Sequence, residues 1–197
     1  MKETNYNYDK KRFETFIDAV IAIILTILVL ELKIPESELT SDLNTRQQLT
    51  HLIPSFVSYI GSFLLITGIW IDHHLLFLNL NKLTRKYILL NMLFVLSLSV
   101  VPFTTAFAGH HYLDSFAVAL LFVNYVIMNI LFGALYWHAN WYKLLPSKYF
   151  SDNKATARYS MVGIAGLLIA IPLAYVHTYL SFGLGILIFT GHLFKKK

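Results

Sequence analysis

This sequence predicts an all-α integral membrane protein of six crossing helices, with both chain ends on the same side of the bilayer. Three observations predict it. Of the 197 residues, 56% are hydrophobic and 14% are charged, against about 45–50% and about a quarter in ordinary soluble domains. The apolar residues gather into six runs, roughly 13–34, 52–78, 86–108, 113–137, 157–176 and 178–194. The remaining charges alternate in sign bias from one connection to the next. No polar stretch is long enough for a second domain, so residues 1–197 read as one transmembrane unit.

The first run, Phe13 to Pro35, organises the rest. Ala19 to Leu30 carries no charge, and about 20 helical residues at ~1.5 Å rise each cross a hydrocarbon core of ~30 Å. Asp18 lies inside the run, where an ionised carboxylate is costly unless it is paired. Glu31 and Lys33 close the far end. Tyr, Asn and acidic residues precede the run, and it is too long for a signal-peptide core, so a retained span is expected. The second run carries Pro54 near its start and Trp70, Asp72, His73 and His74 near its end. The third carries Asn91 early and Pro102 late, and the fourth ends among Trp137, Trp141 and Tyr142. Trp70, Tyr87, Trp137, Trp141 and Tyr142 thus sit where interfacial aromatics belong. Gly163, Gly166 and Ala170 suit close packing of the fifth run on a neighbour. Pro172 also falls in that run, and a short turn near His177 to Tyr179 separates it from the sixth. Pro35 to His51 forms the sizeable loop on the side opposite the termini. The absence of cysteine excludes disulfides, thiolate metal sites and Cys nucleophiles.

Charge sets the orientation. Lys2, Lys10, Lys11 and Arg12 precede the first run. Lys82, Arg85 and Lys86 separate the second from the third, and Lys143, Lys148, Lys154 and Arg158 the fourth from the fifth. Lys195, Lys196 and Lys197 follow the sixth. These places hold fourteen of the sixteen Lys and Arg, and in a six-span chain they share one side. By the positive-inside rule that side, with both termini, is cytoplasmic. The net charge of +5 is therefore a topology signal, and no nucleic-acid partner is expected.

Orientation converts positions into depths. Arg12, Asp18, Asp72, His73, His74 and Asn91 all fall near the cytoplasmic ends of the first three helices and are candidates for one polar layer. Embedded polar groups need partners, so a structural network between helices is the economical reading. A gating or proton role is the functional alternative. Metal binding is disfavoured, because adjacent His73 and His74 point about 100° apart on a helix and metal-binding helices favour i, i+4 spacing. No metal or cofactor is expected. His110 and His111 read as solvated loop residues, and His138, His177 and His192 stand alone.

On the first helix, Ile23, Ile27 and Leu30 share a stripe at i, i+4, i+7 spacing. Asp18 lies more than about 120° from Ile23, so the acid and the stripe face different neighbours. Helix packing or lipid would explain such a stripe without any function. A family resemblance bears on it. The segment Arg12-x-x-x-Phe16-Ile17-Asp18, followed by Thr26, resembles the R-x-x-x-F-S-D…T signature of the transmembrane protein 175 family of potassium channels. Trp70, His73, His74 and Phe77 match that family's W-x-x-H-H-x-x-F pattern. One departure stands out: the family serine is Ile17 here, so a hydroxyl expected in the polar network is missing. The resemblance implies a homotetramer of six-helix units in the cell membrane, with the first helices lining a potassium-permeable pore. It places the hydrophobic constriction at Ile23, with Ile27 and Leu30 as further rings. Thr26 lies one residue off the stripe, its hydroxyl open to an ion or to a backbone carbonyl. Glu31 falls at the external mouth, where it would concentrate cations, pair with Lys33 or be solvated.

A ring of four isoleucines closes a pore by dewetting, without a charged gate. With no T-V-G-Y-G filter, only a moderate preference for potassium is expected. The rivals are a proton-conducting or weakly selective cation channel and a non-conducting scaffold or sensor subunit. An enzyme is not expected, because no nucleophile accompanies Asp72, His73 and His74. No span carries the repeated Arg pattern of a voltage sensor.

Overall fold

The computed structural model describes residues 8–33, 44–146, 149 and 154–193, with backbone alone for 154–160 and 192–193. The described chain is all-helical. Its helices are α1 (Lys10–Leu30), α2 (Thr45–His51), α3 (Ile53–Leu78), α4 (Arg85–Ser99), α5 (Val101–His110), α6 (Ser115–Trp141), α7 (Lys154–Val176) and α8 (Thr178–Leu193). The loop segment 34–43 and the orientation-setting Lys2, Lys148 and Lys195 to Lys197 lie outside the described residues.

Every predicted run is helical, with boundaries moved for local reasons. α1 starts three residues early because Asp9 caps it, its carboxylate accepting the Arg12 N–H at 3.1 Å. It ends at Leu30, where the Glu31 N–H bonds back to the carbonyls of Leu28 and Val29. The predicted loop before the second span contains α2, opened by a capping box in which Asn44 and Gln47 each satisfy the other's backbone N–H. The third run is two helices, not one. Pro102 has no N–H to donate and crowds the carbonyl one turn back, so α4 stops at Ser99 and α5 restarts at Val101. By length and composition α1, α3, the rod Arg85–His110 and α6 can each cross a membrane. The apolar parts of the last two, Met161–Val176 and Thr178–Gly191, are shorter.

α6 sits at the centre, packed against α4, α5, α7 and α8, while α3 packs on α5, α8 and α1. In a bilayer the lipid is as apolar as the side chains, so close packing and buried hydrogen bonds must hold helices together. Both are present. Ser62 of α3 bonds Thr105 of α5 at 2.6 Å and also Tyr125 of α6. Asn124 of α6 donates to Thr104 of α5 at 3.2 Å, and Ser181 of α8 donates to the Ala170 carbonyl of α7 at 2.7 Å. The small-residue stripe of α7 is used as expected, with Ile188 of α8 lying against Gly163 and Gly166.

The tightest approach to another helix's backbone is at Gly109, where an added Cβ would sit 2.8 Å from the Ser55 Cα. Backbone cannot yield as a side-chain tip can. Gly109→Ala is therefore expected to push α5 off α3 and to cost about 1–3 kcal/mol, read as a lower melting temperature of the detergent-solubilised protein. Gly133→Ala, which meets nothing within 4 Å, is the matched control.

α1 is the peripheral element. Only 22% of its apolar window is buried, against 44% to 56% in the other three rods. That position sets up the site.

Candidate functional site

α1 has two faces. Ile17, Ile21, Ile24 and Leu28 are buried against the bundle, and their spacing of four, three and four residues makes one continuous stripe. Across the helix Phe16, Ile23, Ile27 and Leu30 are uncovered, with Ile23 56%, Ile27 38% and Leu30 62% exposed. Thr26 is also on the uncovered side, and its hydroxyl donates to the Ile23 carbonyl at 2.8 Å. The proton is thereby committed to the helix itself, leaving oxygen lone pairs outward. From Ala19 to Leu30 the helix bears no charge, so a path along this face meets carboxylates only near its ends. Glu31 is half-buried at the C-cap.

At the other end of α1 the predicted polar layer divides in three. The reason is helical geometry: Asp72, His73 and His74 are successive residues, each turned about 100° from the last. Trp70 and His74, four residues apart, face α1. The Trp70 Nε1–H donates to Asp18 Oδ1 at 2.9 Å, His74 Nδ1 lies 3.4 Å from Glu14 Oε1, and the two rings stack with centroids 6.0 Å apart. His73 faces α4. It is fully buried and lies between the rings of Phe77 and Phe94, with centroids at 4.6 and 5.6 Å. Its Nε2 meets Asn91 Oδ1 at 3.0 Å, while Asn91 Nδ2 donates to the Tyr87 carbonyl at 2.9 Å. Because the Asn91 amide nitrogen is spent on Tyr87, the histidine Nε2 is the donor. Asp72, also buried, turns toward Tyr136 of α6 and Tyr149 in the connection after it. The Tyr149 phenol is held above its ordinary range by burial, against a hydrogen bond with Tyr136 that lowers it and with the Asp72 carboxylate raising it further.

Arg12 stands outside this arrangement. It is exposed on the first turn of α1, and among the described residues its guanidinium forms no ion pair. Six residues separate it from Asp18, which turns it about 120° around the helix and ~9 Å along it. Ile17, in place of a serine, is buried in the apolar core, so that position contributes no hydroxyl to the network.

Three partners were missed by the sequence reading. Glu14 lies four residues before Asp18 and so shares its face. Trp70 lies four before His74 and does the same, although its place near the end of an apolar run reads as that of an interfacial aromatic. Lys10 reaches across to the end of α3, donating to the carbonyls of Leu80 at 2.7 Å and Leu78 at 3.4 Å. The i, i+4 spacing was the available signal for the first two. Nothing in the sequence marked the third. On the opposite side, His51 and His110 line a cleft of about 340 Å³ where α2, α3 and α5 meet.

Comparison with known proteins covers this same region. A sequence profile of the family described as the endosomal/lysosomal potassium channel TMEM175 matches residues 12–102, from α1 to the start of α5. A potassium channel of Streptomyces collinus is 32% identical over 131 residues, which span 64% of this chain and 63% of that protein. A potassium channel of Chamaesiphon minutus is 27% identical over 188 residues, 93% of either chain. The crystal structure of a lysosomal potassium-selective channel TMEM175 homologue from Chamaesiphon minutus superposes with a TM-score of 0.83 at 24% identity. It covers 93% of this chain and 96% of that one, and the likeness is one of fold.

Proposed function

We infer that this chain is a member of the TMEM175 family and a potassium-permeable channel whose conduction path runs along the uncovered face of α1. Four copies, each contributing α1, close the path in the cell membrane, with both termini cytoplasmic and six spans per copy. The observation that carries this reading is the asymmetry of α1. One face is packed into the bundle and the other is left open, although the helix is the most peripheral of the long rods. A ring of such helices presents Ile23, Ile27 and Leu30 inward.

The mechanism follows from those side chains. Isoleucine and leucine rings exclude water when narrow, and a dehydrated cation does not pass them. Widening the Ile23 ring readmits water and lets the hydrated ion through. No carbonyl cage strips the ion, so preference for potassium over sodium is moderate. Glu31 at the outer end raises local cation concentration. The contacts of Asp18 with Trp70 and of Glu14 with His74 brace α1 from behind, holding the isoleucines in register without touching the ion.

The test is cation flux into liposomes containing the purified protein, with potassium, sodium and an impermeant organic cation compared. Flux that prefers potassium and vanishes with the impermeant cation is expected. Proton current persisting in the impermeant cation would move the assignment to a proton pathway. Absence of all cation flux from intact tetramers would overturn the channel reading in favour of a non-conducting subunit.

A further inference from the structure

We propose that Glu14, Asp18 and His74 form a binding site for a divalent transition-metal ion of the zinc class, bridging α1 and α3. The geometry of the trio points to it. One ligand atom from each residue lies within 4.8 Å of the others, and all three residues are half-buried. Glu14 Oε1 and His74 Nδ1 are already 3.4 Å apart. Two ligands held at ~2.0–2.2 Å from a tetrahedral ion are separated by about 3.3–3.6 Å, so that pair needs little adjustment to share a zinc. Asp18 has only to turn its carboxylate toward them.

Two further features favour an ion over a plain histidine–glutamate pair. His74 Nδ1 is sealed from solvent and makes no hydrogen bond, although 41% of the side chain is exposed. A ring nitrogen enclosed beside two carboxylates and left without a hydrogen bond is placed to take a metal as the third partner. Asp18 is also oriented from outside the trio by the Trp70 N–H on Oδ1, which leaves its second oxygen for a ligand. Outer partners of this kind fix and tune metal ligands. The mixed donor set selects among ions: one imidazole with two carboxylates suits zinc and its neighbours, whereas calcium and magnesium prefer oxygen alone. Water completes the coordination. The sequence expected no metal because it weighed the adjacent His73 and His74 as a pair; the folded chain separates them and supplies Glu14 instead.

Such an ion would bolt the pore-lining helix to α3 one turn below the isoleucine stripe. Its consequence is reduced conduction, and that consequence rests on the channel reading above; the binding itself does not.

Calorimetric titration of zinc chloride into the full-length protein, purified without a histidine tag, tests the site. One zinc per chain is expected, with binding weakened at least about tenfold in Glu14→Gln and in His74→Gln. A control with His51, His110 and His111 all replaced by Gln should bind as the wild type does. Cobalt, used as a visible probe on the unaltered protein, should give the intense absorption of a tetrahedral N,O site. No zinc binding by the wild type, or binding that survives both substitutions, overturns the site. So does binding lost with the three outer histidines. In liposomes, zinc should suppress potassium flux in the wild type and not in His74→Gln. If zinc binds as expected while no protein conducts, the site stands and the channel reading fails.

Discussion

Replacing Ile23 by asparagine is expected to raise potassium flux on the order of tenfold and to lower the preference for potassium over sodium. The argument starts from exposure. Ile23 is 56% uncovered in the single chain, so a polar side chain there disturbs neither the core nor the packing of α1 on α3. Asparagine is close to isoleucine in length but hydrates readily, and four of them around one axis would hold water where isoleucines expel it. A tenfold rise corresponds to a barrier lowered by ~1.4 kcal/mol, a modest demand on four side chains. The neighbouring position gives the contrast. Ile24 is 5% exposed, and asparagine there buries an amide without a partner, at a cost of about 1–3 kcal/mol. Ile24→Asn should therefore yield less folded protein rather than a more open pore. Parallel liposome flux and melting measurements on the two variants separate these effects. Equal flux from wild type and Ile23→Asn, with both proteins intact, would remove Ile23 from the conduction path.

That one-residue contrast shows how much of the molecule was legible beforehand. The i, i+4, i+7 stripe of α1 depended only on the helical period, and the structure leaves that stripe uncovered. Apolar run lengths located all the described helices except α2, whose capping box sits in a polar stretch where short helices give little periodic signal. Pro102 was seen, but whether a proline kinks a helix or ends it depends on the neighbours that accept its freed carbonyls. Residue counts bring the polar positions toward neighbouring helix ends, and the fold divides them among separate partners. Depth follows from residue count alone. Grouping needs the rotation of each helix about its axis, which is fixed by packing against elements distant in the chain. Hence Asp72, His73 and His74, adjacent in sequence, serve three different neighbours, and Trp70 was a network member hidden among interfacial aromatics.

The buried His73–Asn91 pair yields the second large effect. Asn91→Leu should lower stability by about 1–3 kcal/mol, because it strands the His73 Nε2–H in a site walled by Phe77, Phe94 and Phe132. His73→Phe should cost a similar amount by stranding the amide oxygen of Asn91, whose nitrogen stays bonded to the Tyr87 carbonyl. The double variant should recover much of the loss. With both partners apolar and of similar shape, no polar group is left unpaired, and a phenyl ring takes the place of the imidazole against Phe77, Phe94 and Phe132, whose centroids lie 4.6, 5.6 and 6.4 Å from it. Melting curves on the four proteins form a double-mutant cycle whose interaction energy isolates the pair. A double variant as unstable as the sum of the single ones would mean that each side chain acts through separate neighbours. Recovered stability with altered conduction would be the more informative result. The hydrogen bond would then be dispensable for folding, and its place between α3 and α4, two of the three helices against which α1 packs, would make it part of what sets the width of the isoleucine ring.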